Sequence, residues 1–320
     1  MKKTVMALII FSLLGFIAIP LSDAKDDYPT GPITCIVPYG AGGMTDTSAR
    51  LLAEKIKAEF GQPIVVVNKK GAAGIVGTMH FLTTKPDGYT VLVNTSDTAI
   101  LPLYQKQEAI DLNRFKYAAS YMIQERVLFA PIDAPYKSFE EFVAYVKQNP
   151  GKVSVGGGAD IWAQHIMKSI AVKDGLKMKY VMFESGGDAS SAILGGHVDV
   201  CETGVGTPAY QAAKAGKLNI LIALGAGKVP GFPNVPNVKQ KGYPFHETLA
   251  YGILLHAETP EPIRQKWENA MKKVLQDPDL GASFRKLGLE PEFVDGRGWE
   301  TICKDAMSVV KLIEYVKGID

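Results

Sequence analysis

Glycine-rich segments that directly follow apolar runs are the part of this sequence with the clearest chemical potential. They occur at 40–43, 71–74, 156–158 and 186–187, so both halves of the chain have them. Glycine lets the backbone approach a bound molecule and expose its N–H groups. A helix that begins at such a segment adds unpaired N–H donors and a partial positive charge. These segments therefore suit a small anion that is held without lysine or arginine.

Each segment alone is also compatible with an ordinary turn between a strand and a helix, because such turns use glycine routinely. Repetition in both halves favours a shared binding site. Asp46 leaves a similar choice open. It lies near the start of a predicted helix, four residues before Arg50, and we favour an N-terminal cap with an ion pair. Alternatively, it shapes a binding loop or holds a bridging water.

Enzyme motifs find little support. Residues 40–45 approach the dinucleotide pattern GxGxxG, but Thr45 replaces the last glycine and Asn68 stands where an acid is expected. The histidines show neither HxH nor HExxH spacing, and GxSxG, SxxK and GxxxxGK[ST] do not occur. The remaining acid–base candidates are two pairs, Asp46 with His80 and Glu184 with Asp160. We therefore expect a binding protein rather than an enzyme, with neither cofactor nor metal.

An alternating pattern of strands and helices supplies the scaffold for these segments. Predicted strands cover 33–37, 64–67, 89–93, 153–155, 180–183, 198–201, 218–224 and 252–256. Predicted helices cover 46–60, 139–148, 161–173, 260–276 and 298–317. This rhythm predicts an α/β fold in two units, near 30–125 and 127–250, followed by a mainly helical tail that packs on the first unit. Ligands of such sheets bind at the carboxyl ends of the strands.

The amino-terminal segment predicts export. Lys2 and Lys3 precede an apolar stretch over 5–19, and small residues follow at Ser22 and Ala24. This is the pattern of a secretory signal peptide that is cleaved near Ala24. The alternative is a membrane anchor, but the stretch is shorter than the roughly 20 residues that a span needs. We predict a periplasmic protein.

Composition and cysteine usage narrow the class. The chain has 320 residues and a formal net charge of +2, which fits two domains and argues against a nucleic-acid binder. Cys35, Cys201 and Cys303 are widely spaced, and two of them lie in apolar runs. They predict buried free thiols, although a Cys35–Cys303 disulfide stays open at this stage.

Several blocks of the sequence together resemble one family. They are 32–46 with 49–53, 61–68, 71–74, 86–90, 149–152, 194–200 and 233–236. In this order they are similar to the tripartite tricarboxylate transporter substrate-binding proteins, the TctC-like or Bug family. The resemblance implies a two-lobed periplasmic binding protein of type II, which closes on its ligand like a flytrap around two parallel or mixed sheets. It places lobe 1 at 25–126 plus 251–320 and lobe 2 at 127–250, with hinge strands near 120–130 and 250–256.

The resemblance also implies a function. The ligand would be a small carboxylate, meaning a di- or tricarboxylate, an aromatic acid or an amino acid. The partners would be the membrane subunits of the transporter, and the protein would be a monomer. An exported enzyme and a ligand-sensing signalling protein remain the alternatives that use the same cleft.

Carried over by position, the resemblance also implies a set of ligand-binding residues. In lobe 1 they are Tyr39, Ala41, Gly42, Gly43, Thr45, Asp46, Ala72, Ala73, Thr95 and Ser96. In lobe 2 they are Gly157, Gly158, Asp160, Glu184, Gly186, Gly187 and Thr203. Glu184 stands where the family often has lysine, and a usual hydroxyl is lost near Gly157. These departures disfavour a tricarboxylate if the side chains face the cleft. Glu184 or Asp160 could then accept from an amine, hydroxyl or ring N–H, whereas a solvent-facing Glu184 leaves an ordinary carboxylate as the ligand.

Overall fold

The computed structural model describes residues 28–99, 111–158, 161–183, 185–246, 249–287 and 289–306, together with 312 and 316. The predicted signal segment lies outside these residues, as do Asp160 and Glu184. Within the described part, none of the helices combines the length and the apolarity needed to cross a bilayer.

The first unit is built on a six-stranded mixed sheet. Its strands are β1 (Ile33–Val37), β2 (Ile64–Asn68), β3 (Thr90–Thr95), β4 (Phe115–Gln124), β10 (Leu249–His256) and β11 (Pro291–Asp295). The strand order is β11-β4-β10-β3-β1-β2. β1 pairs in parallel with β2 and β3, whereas β10 runs antiparallel between β3 and β4.

Helices cover both faces of this sheet. They are α1 (Met44–Phe60), α2 (Ile75–Phe81), α7 (Glu261–Val274), α8 (Pro278–Lys286) and α9 (Gly296–Ala306). One face buries Leu52, Trp267 and Phe284, and the other buries Phe81 and Trp299. Helices α7, α8 and α9 therefore pack on the first unit, because their apolar residues complete both of these cores.

The second unit is built on a five-stranded mixed sheet with the order β7-β6-β8-β5-β9. Its strands are β5 (Arg126–Pro131), β6 (Ser154–Gly157), β7 (Lys179–Met182), β8 (Val200–Gly204) and β9 (Leu218–Ala223). Its helices are α3 (Phe139–Gln148), α4 (Ile161–Asp174), α5 (Gly186–Leu194) and α6 (Pro208–Lys214). One face packs on α3 and α4, and the other on α5 and α6.

Two segments connect the two sheets of the described part of the chain. A single residue, Glu125, separates β4 from β5, and the long segment 224–248 returns the chain from β9 to β10. Gln124 ties the first crossing to both units. Its Nε2 donates to the Val205 carbonyl at 2.5 Å, and its Oε1 accepts from the Tyr251 hydroxyl at 2.7 Å. The first crossing falls within the predicted hinge near 120–130, whereas the second precedes β10, the strand that contains the other predicted hinge segment at 250–256.

The structure also departs from the predicted elements. β11 and α8 are additions to the predicted tail, which was expected to be mainly helical. β6 extends through Gly156 and Gly157, which were expected to form a turn. Glycine leaves room there for the carboxyl group of Glu202, because a Cβ at residue 157 would lie 2.2 Å from Glu202 Oε1. A side chain that crosses from the neighbouring strand therefore occupies that space.

The lobe boundaries remain predictions, and two residues near the end of the chain pack differently from the lobe assigned to them. Leu312 and Val316 join the apolar core of the second unit, whereas the prediction assigned 251–320 to lobe 1.

All three cysteines are buried free thiols, which confirms the interpretation made from the sequence. Cys35 and Cys303 lie in the cores on opposite faces of the first sheet, so the sheet itself separates them.

A buried tyrosine provides a test of the first core. The Tyr28 hydroxyl donates to the Gly88 carbonyl at 2.7 Å and accepts from Trp267 Nε1 at 2.8 Å. Tyr28→Phe leaves both groups without this partner, so we expect the free energy of unfolding to fall by about 1–3 kcal/mol in urea titrations. Tyr89→Phe is the matched control. Its hydroxyl accepts from the exposed Thr30 N–H, and its loss should cost less than about 0.5 kcal/mol. Equal losses in the two variants would contradict this account.

Candidate ligand-binding cleft

The topology brings the carboxyl ends of the central strands of both sheets to the junction between the units. β4 ends at the first crossing, and β3 runs in the same direction as β4 because both are antiparallel to β10. β5 begins at the same crossing and is antiparallel to β8, so β8 ends there too. β1 runs in the same direction as β3, and β6 and β7 run in the same direction as β8, because these strands pair in parallel. The glycine-rich segments after β1 and β6 therefore lie at this junction.

The segment after β1 leads into the uncapped N-terminus of α1. Gly43 occupies the N-cap position without a side-chain hydrogen bond, and Ala41, Gly42 and Gly43 are exposed. Within the described residues, the N–H groups of Met44 and Thr45 have no acceptor, since the first bond of the helix runs from the Thr47 N–H to the Gly43 carbonyl. An anion is well placed to accept from these donors.

Asp46 is a structural residue of this loop, and its predicted ion pair with Arg50 is present. Its Oδ2 accepts from the Gly42 N–H at 2.9 Å and from Arg50 Nε at 3.1 Å. Its Oδ1 accepts from Asn68 Nδ2 at 2.9 Å. Burial of Asp46 acts to raise its pKa, but the hydrogen bonds from Arg50, Gly42 and Asn68 outweigh burial and lower it. The N–H of Gly42 is thereby engaged with Asp46 in this structure, and Asp46 caps the loop rather than α1.

The other first-unit residues cluster at the ends of β1 and β3. Tyr39 donates from its hydroxyl to Asn94 Oδ1 at 3.2 Å, and its ring leaves no room for a side chain at Gly74. Ala72 has a positive φ of 46°, an uncommon conformation for a residue other than glycine. Ala73 lies in the same short 3₁₀ helix, Ala72–Gly74. Thr95 is buried at the end of β3, and the adjacent Ser96 accepts from the Ala250 N–H at 3.2 Å.

In the second unit, two glycine segments lie against each other. A Cβ at Gly158 would lie 3.1 Å from the Gly186 nitrogen, so the ends of β6 and β7 approach one another closely. α5 begins with Gly186 and Gly187, and its N-cap Ser185 accepts from the Asp188 N–H at 3.1 Å. Thr203 is buried beside Gly186, on β8. The predicted residues of this unit that lie within the described part are therefore grouped in one place.

The sequence-based set omitted three charged residues near the junction, of which Arg126 and Glu202 are buried and Asp97 is half-buried. Asp97 follows β3, Arg126 opens β5, and Glu202 lies on β8. Burial raises the pKa of Asp97 to about 6 and that of Glu202 to about 8, and the charge of Arg126 partly opposes both shifts. The sequence signal that could have identified two of them is a charged residue within an otherwise apolar run, which occurs at 125–126 and at 202.

The site therefore offers backbone donors from both units and a small group of buried charges. Among the described residues, no three metal-binding side chains cluster closely enough to hold an ion. Asp46 is engaged by Arg50, Asn68 and Gly42, which leaves little capacity for a role as general base. The arrangement suits reversible binding of a small anion.

Comparisons of sequence bear on this arrangement. A family model described as "Tripartite tricarboxylate transporter family receptor" matches residues 48–316. The "UPF0065 protein in gbd 5'region" of Cupriavidus necator is 32% identical over 309 residues, which span 93% of this chain and 93% of that protein. Protein BugT of Bordetella pertussis is 28% identical over 291 residues, which span 88% of this chain and 87% of BugT.

Comparisons of structure agree with those of sequence. A TctC solute-binding protein from Polaromonas superposes with a TM-score of 0.75 at 27% identity, covering 90% of this chain and 99% of that one. The periplasmic binding protein BugD gives a TM-score of 0.78 at 25% identity, with 91% and 99% covered. These similarities confirm the predicted two-lobed α/β fold and the family resemblance.

The Asp46 network generates a prediction about stability and pH. Asp46→Asn removes the charge that Arg50 pairs with, so we expect the free energy of unfolding at neutral pH to fall by about 1–3 kcal/mol. Because folding lowers the pKa of Asp46, its contribution is present above the ordinary pKa near 3.8 and is lost as the pH falls through the lower folded value. The wild type should therefore lose more stability than Asp46→Asn in urea titrations between about pH 5 and about pH 2.5. Parallel pH profiles would contradict the assignment.

Proposed function

The chain belongs to the tripartite tricarboxylate transporter receptor family, and we propose that it captures a small carboxylate between its two units for delivery to the transporter's membrane subunits. The observation that carries this proposal is the meeting of two sets of backbone donors at one junction. Met44 and Thr45 at the start of α1 lie in one unit, and Gly186 and Gly187 at the start of α5 lie in the other. A carboxylate that engages both sets stabilises the closed arrangement, because only that arrangement lets it do so.

Proteins of the same fold hold such acids. MatC from Rhodopseudomonas palustris carries malate in a structure with a TM-score of 0.73 at 24% identity. A second protein from R. palustris carries adipate in a structure with a TM-score of 0.78 at 18% identity. At these identities the two structures support the fold, and the choice of acid for this chain follows from its own site.

The proposal extends to location and mechanism. We propose that the chain reaches the periplasm through its amino-terminal signal and is cleaved near Ala24, where it acts as a monomer. Its role is reversible capture rather than turnover. The bonds of Asp46 to Gly42, Arg50 and Asn68 support this, because they leave it poorly suited to the acid–base chemistry considered for Asp46 with His80.

A ligand screen tests the proposed function. After removal of any copurified small molecule by unfolding and refolding, succinate, citrate, benzoate and glutamate represent the four classes of acid. At least one of them should raise the melting temperature, because binding to the folded state stabilises it by RT ln(1 + [L]/Kd), about 2.7 kcal/mol at one hundred times Kd. The corresponding uncharged amides are the control. No shift with any acid, confirmed by calorimetry, would contradict the proposal.

A charge at the start of α5 should compete with the ligand. Gly187 is exposed, and a Cβ there would make only an ordinary contact, at 3.5 Å from Ser185 Oγ. Gly187→Asp places a carboxylate at the helix N-terminus, where it favours the helix but repels an anion. We expect at least about a tenfold loss of affinity with little loss of stability.

Gly187→Asn is the matched control, with nearly the same size and no charge. It should keep affinity within about threefold of the wild type, because it adds only bulk at an exposed position. Calorimetry with the acid selected in the screen measures both variants. Equal affinities for the Asp and Asn variants would place the anion away from the start of α5.

A further inference from the structure

Glu202 is a buried acid that the backbone-donor account does not use. Its side chain lies on the face of β8 that also carries Val200, and the residue is only 1% exposed. Neither carboxylate oxygen has a hydrogen-bond partner within the described part of the chain. Leaving a buried polar group unsatisfied destabilises the folded state, and a charged group does so more strongly, so a folded protein rarely keeps such a group without a use.

The position of Glu202 connects it to the cleft. In the β6–β8 register, Glu202 is the partner of Gly157, the last residue of β6. The missing side chain at Gly157 makes room for the acid, because a Cβ there would lie 2.2 Å from Glu202 Oε1 and 3.1 Å from its Cδ. The carboxyl group therefore lies beside the segment 156–158, at the end of β6 that faces the first unit. The unpartnered oxygens of Glu202 thus lie beside the glycine segment at which the anion is expected.

The charges around Glu202 and on an incoming carboxylate together favour its protonated, neutral form. The positive charge of Arg126, on β5, acts to lower the pKa of Glu202. The same charge acts to lower the pKa of Asp97 in the first unit. Helix α4 packs over β8 and contributes the buried titratable residue His165. On β8 itself, the neighbouring buried titratable residue is Cys201. One arginine cannot neutralise both of these acids and an incoming carboxylate. Two carboxylates that approach within hydrogen-bond distance must share a proton.

We propose, on the basis of the proposed carboxylate function, that Glu202 contacts the ligand as a neutral carboxylic acid that donates a hydrogen bond to the ligand's carboxylate. Asp97 then remains the ionised partner of Arg126, and the base of the cleft carries no net repulsion toward an anion. Burial of Glu202, which raises its pKa to about 8, agrees with this division of roles, as does the lower value of about 6 for Asp97. Ligand capture is thereby coupled to one proton.

The coupling has a definite sign. Between about pH 6 and about pH 8, Asp97 is mostly ionised and Glu202 mostly carries its proton, so affinity changes little. Above that range the acid must take up a proton on binding, and affinity should fall about tenfold between about pH 7 and about pH 9. The carboxyl groups of succinate and benzoate are ionised throughout this range, so they do not contribute to the change. Cys201, whose pKa burial raises above its usual range, does not interfere either.

Two substitutions separate the donor role from charge and bulk. Glu202→Gln keeps a neutral donor and cannot ionise, so it should bind within about threefold of the wild type near pH 7 and lose the alkaline fall in affinity. Glu202→Leu removes the donor and should bind about tenfold more weakly near pH 7. Circular dichroism and urea titration confirm that both variants are folded.

Glu125→Gln is the matched control, because Glu125 is a half-buried acid between β4 and β5 whose Oε2 atom is buried. Burial raises its pKa to about 7, although its Oε1 accepts from the Gly227 N–H at 3.0 Å and this bond lowers the value. It lies one residue from Arg126 but borders Gly225 and Gly227 instead of the glycine segment of β6. Its substitution should leave the alkaline fall in affinity unchanged.

The experiment is isothermal titration calorimetry of succinate, citrate, benzoate and glutamate, near pH 7 and near pH 9. Two buffers of different ionisation enthalpy at each pH report the protons taken up. The wild type should take up close to one proton near pH 9 and few near pH 7, and Glu202→Gln should take up none at either pH.

Three results would overturn the inference. If a panel acid binds but affinity and proton uptake are independent of pH in the wild type and in Glu202→Gln, Glu202 does not donate to the ligand and the proposed function still stands. If Glu202→Gln abolishes binding of glutamate alone, the residue accepts from the ligand's amine instead. If no acid binds the wild type near pH 7, the proposed function fails and the role of Glu202 fails with it.

Discussion

The direction in which the chain crosses between its two sheets is the constraint on which the site depends. β4 enters the junction and β5 leaves it with only Glu125 between them. The antiparallel partners of these strands are thereby oriented, and the parallel strands beside them all end at the same junction. The starts of α1 and α5 point to one place as a consequence of this crossing. No lysine or arginine is needed to create an anion site there, because unpaired backbone N–H groups supply the positive end of each helix.

The charged side chains near the junction must be compatible with an anion held by backbone N–H groups. A cleft that accepts an anion through backbone donors tolerates buried acids only when they are neutral or paired. Asp97 and Glu202 come from different units, and Arg126 belongs to the strand that begins at the crossing. This places the electrostatic balance of the site at the hinge itself, where a change in protonation affects both units. Such a balance also relates the ligand's charge to the stability of the closed arrangement.

Much of the scaffold could be predicted from the sequence because its signals are local. The strand at 33–37, the helix that ends before Gly61 and the glycine segments all follow from apolar runs and turn residues. β11 could not, because Pro291–Asp295 is short, alternates apolar and polar residues only over its first three positions, and depends on pairing with β4. The extension of β6 through Gly157 was also hidden, since it depends on Glu202, 45 residues later in the chain. The role of Asp46 was recognised only in part, because its bonds to Asn68 and Gly42 arise from tertiary contact.

The central claim is that a carboxylate is held between the starts of α1 and α5. A crystal structure of the protein with the tightest-binding acid of the four-class panel tests it most directly. The account predicts the carboxylate within hydrogen-bond distance of backbone N–H groups from both units, at residues 44–45 and 186–187. A bound acid lodged elsewhere, with side chains filling the space between these helix starts, would contradict it.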